Sequence, residues 1–257
     1  MRGATPTALV DIGVNLAHRS FEADLPQVLK RAKDAGVDLV ITGTDVAGSR
    51  KAAWLAQEHG LCATAGIHPH HAKDFEPRHL DELAALDPVA IGECGLDFNR
   101  NFSPRDAQLA CFEAQLELAA RLGKPLFLHE RDAFDEVKRL VEKHRPKRAV
   151  IHCFTGDARA LDDYLALGLH IGITGWICDE RRGTHLVELV RRIPPGRLML
   201  ETDAPFLSPP GAPRRNEPAF LPRVLEAVAK ARGETPEETA RHTTKTARDF
   251  FGLHRLD

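Results

Sequence analysis

Two acids and two histidines stand at matching places in four short stretches: Glu93 in AIGECGLDF, His129 in PLFLHERDA, His152 in AVIHCFTG and Asp203 in LMLETDAP. Each ends an apolar run too short for a helix, and helix-like sequence separates one stretch from the next. Imidazole and carboxylate at the carboxyl ends of different parallel strands are how a β/α barrel surrounds one mouth with ligands. A lone buried histidine is more often a packing residue. Four such groups at one level are different, because buried charge needs a partner and a shared cation satisfies them together. The chemistry indicated is metal-dependent hydrolysis, with Glu93, His129, His152 and Asp203 around the ion.

Those four groups need strands to hold them, and eight are expected: Ala8–Val14, Leu39–Gly43, Cys62–Ile67, Ala90–Gly95, Pro125–His129, Ala149–Phe154, His170–Gly175 and Leu198–Ala204. The runs are near-continuous rather than alternating, as in strands buried on both faces. Helical sequence lies between them. In 103–123, Ser103 is placed as N-cap, Pro104 as first helical residue and Gly123 as the stop, with Leu109, Phe112, Leu116 and Ala119 on one face. Thr235 to Glu238 reads as a capping box opening a last helix into Phe250 and Phe251. Repeated strand–helix alternation predicts an α/β fold, a closed (β/α)8 TIM barrel, over its runner-up, a doubly wound open sheet. Neither G-x-G-x-x-G nor G-x-x-x-x-G-K is present to favour the open sheet.

Residues two apart on a strand share a face. This groups Asp11 with Gly13 and Asn15, Ile91 with Glu93, Phe127 with His129, Val150 with His152, and Met199 with Glu201 and Asp203. Cys94 and Cys153 then point at the helices and are not ligands, while Glu201, one layer deeper, supports a ligand by hydrogen bonding.

Bulk properties narrow the rest. A barrel needs roughly 250 residues, so residues 1–257 are read as one domain. The formal charge of −2 gives no global attraction to polyanions, and any nucleic-acid contact must come from a local patch. No signal peptide or membrane span is expected. Five cysteines without a C-x-x-C pair argue for a reducing cytoplasm.

DIGVNL, ITGTD, AGIHPHH, AIGECGLDFNRNFS, HERDA, IHCFTG, IGITGWICDERRG, LETDAPFL and RRNEP follow one another through almost the whole chain. In these motifs and their order the chain resembles the TatD family of metal-dependent deoxyribonucleases, on an amidohydrolase-like barrel, and its bacterial TatD branch most. The resemblance implies metal held by Glu93, His129 and His152, with Asp203 as the active-site acid. It implies cleavage of DNA from the 3′ end, single-stranded by preference, with RNA possible, magnesium as usual cofactor and a place in DNA repair. Many relatives open with D-x-H-x-H, two histidines that bind a second metal; here Gly13 and Asn15 stand there. One firm metal site is therefore expected, and a second weak or completed by substrate.

From the residues themselves, Glu93 anchors the ion, and Asp203 accepts the proton of the attacking water unless it merely caps the following helix. The mixed nitrogen and oxygen set leaves manganese and zinc open beside magnesium. Candidate substrate contacts are His68, Asn15 and the loop arginines Arg131, Arg181, Arg182, Arg214 and Arg215, whose forks suit phosphate. His70 and His71 are read as loop residues, and Phe102, Trp176 and Phe206 as aromatics able to stack on bases. The partner expected is a single-stranded DNA or RNA 3′ end, with no membrane and no obligate protein partner. Two alternatives stay open, a D-aminoacyl-tRNA deacylase on the same barrel and a non-catalytic nucleic-acid-binding barrel.

Overall fold

The computed structural model describes residues 9–181 and 183–253. Ala8 and Arg182, named above, lie outside them. The strands are β1 (Leu9–Val14), β2 (Val37–Ile41), β3 (Cys62–Ala63), β4 (Ile91–Asp97), β5 (Leu126–Arg131), β6 (Ala149–Ile151), β7 (His170–Ile173) and β8 (Leu198–Leu200). They run in sequence order as two parallel arcs, β1 to β3 and β4 to β8. A bridge between Ala65 and Ile91 joins the arcs on one side. On the other, Asn15 N–H donates to the Ala204 carbonyl at 2.8 Å and Asp203 N–H to that of Gly13 at 2.9 Å. The last strand returns to the first, so the fold is a single-domain (β/α)8 barrel and not an open sheet.

Between strands run α1 (Leu25–Asp34), α2 (Val46–His59), α3 (Arg78–Ala84), α4 (Arg105–Leu122), α5 (Phe134–His144), α6 (Ala158–Ala166) and α7 (Thr184–Leu189), with α8 (Leu221–Arg232) and α9 (Pro236–Phe251) after β8. Amphipathic spacing makes this layer. On α5, Val137, Leu140 and Val141 are buried at i, i+3 and i+4. α4 stops at Gly123, whose φ of +67° is left-handed. The Thr235–Glu238 capping box opens α9 as expected.

Ser103 does not cap α4. Its hydroxyl accepts from Lys73 N–H and donates to the His70 carbonyl, binding the 69–74 segment instead.

Inside the barrel Val10, Ile12, Phe127, Val150 and Met199 pack together, and Phe250 and Phe251 of α9 join them from the amino-terminal end. The tube is thus filled, which leaves the carboxyl-end mouth as the place where the strand ends meet a ligand.

Strict strand parity fails at two places. β1 shifts register between Asp11 and Val14, and β4 between Ile91 and Cys94. Asp11 and Gly13 therefore face different ways: the Asp11 carboxylate accepts from Thr202 N–H and hydroxyl and from Gly13 N–H, while the Cα of Gly13 faces the barrel axis. Ile91 packs outward, although Glu93 two residues later turns in. A bulge adds one residue to one strand and re-aims the side chains beyond it.

Candidate active site

Glu93 is the hub. Its Oε1 lies 2.9 Å from His129 Nδ1, 3.1 Å from His152 Nε2 and 3.3 Å from His68 Nε2. The backbone explains why the side chain can reach the axis. Gly92 has a φ of +138°, and any Cβ there would collide with the Phe127 carbonyl, so only glycine lets β4 press against β5 at this turn. Glu93 N–H donates to the Gly43 carbonyl at 2.8 Å, tying the residue across to the opposite arc.

His129 and His152 stand at matching levels on neighbouring strands, and His152 is held from behind. Glu201 Oε2 meets His152 Nδ1 at 3.0 Å while its Oε1 accepts from Cys153 N–H at 2.5 Å. Gly13 and Gly172 leave room for this carboxylate: a Cβ on Gly13 would come within 2.6 Å of Glu201 Oε2, and one on Gly172 would overlap Oε1. Glu201 thus packs directly against the bare backbone of Gly13 on the first strand. Asp97, at the end of β4, lies 2.7 Å from His70 Nε2 and accepts from the N–H groups of Asn99 and Arg100.

Asp203 lies beyond the end of β8, at a positive φ of +53°, so a turn rather than strand alternation aims it. Asn15 Nδ2 donates to its Oδ1 at 3.0 Å.

Burial alone would raise the Glu93 carboxyl, but the imidazoles of His152 and His68 and hydrogen bonds from His129 and His152 hold it well below the usual range. Burial would lower His152; Glu201 and Glu93 outweigh it and raise the ring well above its ordinary value. His68 goes the other way, pushed by burial down to about 4 against the pull of Glu93. Burial pushes Asp203 up to about 7, partly offset by His152 and reinforced by Glu93 and Glu201.

This donor set fits a divalent cation. Single ligand atoms of His68, Glu93 and His129 all lie within 4.8 Å of one another, a span one ion can bridge. His129 Nε2 is buried without a hydrogen-bond partner; the Asp97 carboxylate stands 3.5 Å away. Three rings crowd one carboxylate oxygen, more than hydrogen bonding alone requires.

All four expected ligands line one cavity of about 620 Å³ at the barrel mouth, together with Asn15, His68 and Arg131. His68 stands closer to Glu93 than a purely substrate-binding residue needs to. His70, read as a loop residue, also lines the cavity, as do Asp97 and Arg100, which the sequence reading passed over. Cys153 lines it too, contrary to parity, because β6 ends at Ile151 and Cys153 turns at a φ of +46°. Cys94 does pack in the outer layer.

The other arginines stand apart. Arg215 spends its fork on Asp24, at 2.6 and 2.7 Å, and on the Ser20 carbonyl, which removes it from the expected phosphate contacts. Arg181 is largely exposed, 3.8 Å from Asp179, and Arg214 is exposed; neither lines the cavity.

The sequence model described as TatD related DNase matches residues 10–252. The chain is 51% identical to the 3′-5′ ssDNA/RNA exonuclease TatD of Erwinia billingiae over 95% of its own length and 99% of that protein's. It is 50% identical to the protein so named in Yersinia pseudotuberculosis, again over 95% of this chain and all of the other. Among solved structures, the YjjV TatD homolog of Escherichia coli superposes with a TM-score of 0.91 at 27% identity, covering 97% of this chain and 100% of that one. The TatD-family hydrolase of Entamoeba histolytica has the same fold, with a TM-score of 0.88 at 24% identity over 96% of this chain and 99% of that one. With a family match through nearly all the described residues and relatives at half identity, the chain belongs to the TatD family of DNases.

Proposed function

We propose that the protein is a metal-dependent exonuclease that hydrolyses phosphodiester bonds from the 3′ end of single-stranded DNA, and of RNA. The observation that carries this is the Glu93 carboxylate ringed by His68, His129 and His152 within 3.3 Å, at the floor of a cavity closed below. The names of the half-identical relatives supply the substrate class. The packed barrel interior leaves the substrate to approach from the loops at the carboxyl ends of the strands.

Glu93, His129 and His152, with His68 in reach, would hold a divalent cation, which would supply Lewis acidity and activate a water. Magnesium is the ion we propose, with manganese or zinc able to substitute in an imidazole-rich set. Asp203 orients the attacking water and takes its proton, and Asn15 fixes the carboxylate for this. Arg131 and Arg100, both exposed at the rim, grip phosphate oxygens. No protein partner is needed for this chemistry. A reducing cytoplasm suits the five free cysteines, and among the described residues no helix is long and apolar enough to cross a membrane.

The test is a 5′-labelled single strand incubated with magnesium, with manganese, or with chelator. A metal-dependent ladder shortening from the 3′ end is the expected result. Release of amino acid from D-aminoacyl-tRNA without a ladder would assign the deacylase activity instead, and binding without either product would leave a non-catalytic barrel.

A further inference from the structure

Among the described residues only three large apolar side chains are exposed: Trp54, Phe102 and Phe206. Two of these, Phe102 at 57% and Phe206 at 49%, stand on the rim of the active-site cavity. Phe102 lies in the loop after β4 and Phe206 in the loop after β8, strands half a turn apart in the ring. The two rings therefore face the mouth from opposite sides.

Neither loop is loose. Asp97 accepts from Asn99 and Arg100 N–H, Asn101 Nδ2 donates to the Phe98 carbonyl, and Gln108 Nε2 donates to that of Ser103. On the other side Phe206 N–H donates to the Asp203 carbonyl, and Asn216 Nδ2 to those of Phe206 and Thr202. Each phenylalanine also has an imidazole packed edge-on against it, His70 at 4.7 Å and His18 at 5.5 Å between centroids. Rigid turns that hold an apolar ring out into water spend free energy unless something flat covers the ring.

We propose that Phe102 and Phe206 are paired stacking platforms, each taking one unpaired base near the 3′ terminus while the intervening phosphate sits over Glu93. The inference rests on the exonuclease reading and deepens it. Bases already stacked in a duplex cannot splay to opposite rims, so the pair sets the preference for single strands. Stacking on an aromatic ring tolerates any base.

Binding and cleavage are measured on an oligothymidylate and on the same strand with abasic residues in its last three positions. Wild-type protein is expected to favour the base-bearing strand by about 5-fold or more, in Kd without metal and in KM with magnesium. Phe102→Ala and Phe206→Ala should each lose much of that preference while kcat changes less, and Phe→Trp at either position should restore it. A strand carrying 2-aminopurine near its 3′ end should change its emission on binding wild type, as the base leaves its neighbours, and change less with the alanine variants. Equal handling of both strands by wild type, or equal losses on both strands in the variants, overturns the proposal. The emission change and base preference without any cleavage would leave the platforms standing and refute the exonuclease reading.

Discussion

At the residue scale, three imidazoles share one buried carboxylate oxygen, and each ring must be held by something other than the oxygen it faces. For His152 that support is Glu201, fully buried and bonded to both the ring and the Cys153 N–H. Replacing it by glutamine keeps the shape but removes the charge that fixes the ring's proton. Glu201→Gln should weaken manganese binding by about 10–100-fold, read by calorimetric titration, with the folded spectrum unchanged. Unchanged affinity would show that His152 needs no such support. Much of this cluster was legible, since Phe127 with His129 and Met199 with Glu201 obey simple alternation. Asp97 was not, because the fourth strand was ended at Gly95. Carried two residues further, as observed, the strand brings Asp97 to the same face four residues after Glu93.

At the element scale, bulges and loop ties decide what the mouth contains. Strand existence and order follow from apolar runs and their punctuation, but a register shift leaves no mark in such runs. Hence alternation alone groups Asp11 and Ile91 with the wrong neighbours, and it sends Cys153 to the wrong side because the chain turns just after β6 ends. Charge is hard to place in sequence for a similar reason: loop arginines look alike until their partners are known. Arg215 ties the loop after β8 to the start of α1 through Asp24, and that carboxyl is held down to about 2 by it. Arg215→Ala should therefore lower stability by about 1.5–3 kcal/mol in urea denaturation and leave the salt dependence of strand binding alone. Arg131→Ala should do the reverse, reducing the slope of log K against log salt by about 0.7, the value of one phosphate neutralised on a single strand. If Arg215→Ala flattens that slope and Arg131→Ala does not, the two roles have been exchanged.

At the scale of the molecule, the barrel is plugged below and reactive above. The plug has its own chemistry: His170 at the start of β7 packs on Phe250 of α9, and its Nδ1 is buried without a hydrogen-bond partner. Burial, with Arg197 and Arg148 nearby, pushes this imidazole down to about 4. The unfolded chain, with a histidine pKa of about 6.5, binds the proton first as pH falls. The stabilisation is thus complete above about pH 6.5 and is lost progressively towards pH 4. His170→Gln should lose less stability than wild type between pH 7.5 and 4.5, compared by urea midpoints; parallel losses would exclude His170 as a source of acid sensitivity.

All of the chemistry at the mouth depends on whether Glu93 anchors a divalent ion at the open end of this barrel. Manganese titration of metal-stripped wild type and Glu93→Gln, followed by electron paramagnetic resonance beside cleavage of a labelled single strand, addresses it directly. Wild type should bind saturably and cut the strand. Glu93→Gln should lose affinity by more than the about 100-fold that a supporting residue costs, and lose cleavage with it. A Glu93→Gln protein that binds manganese as tightly as wild type would contradict the account.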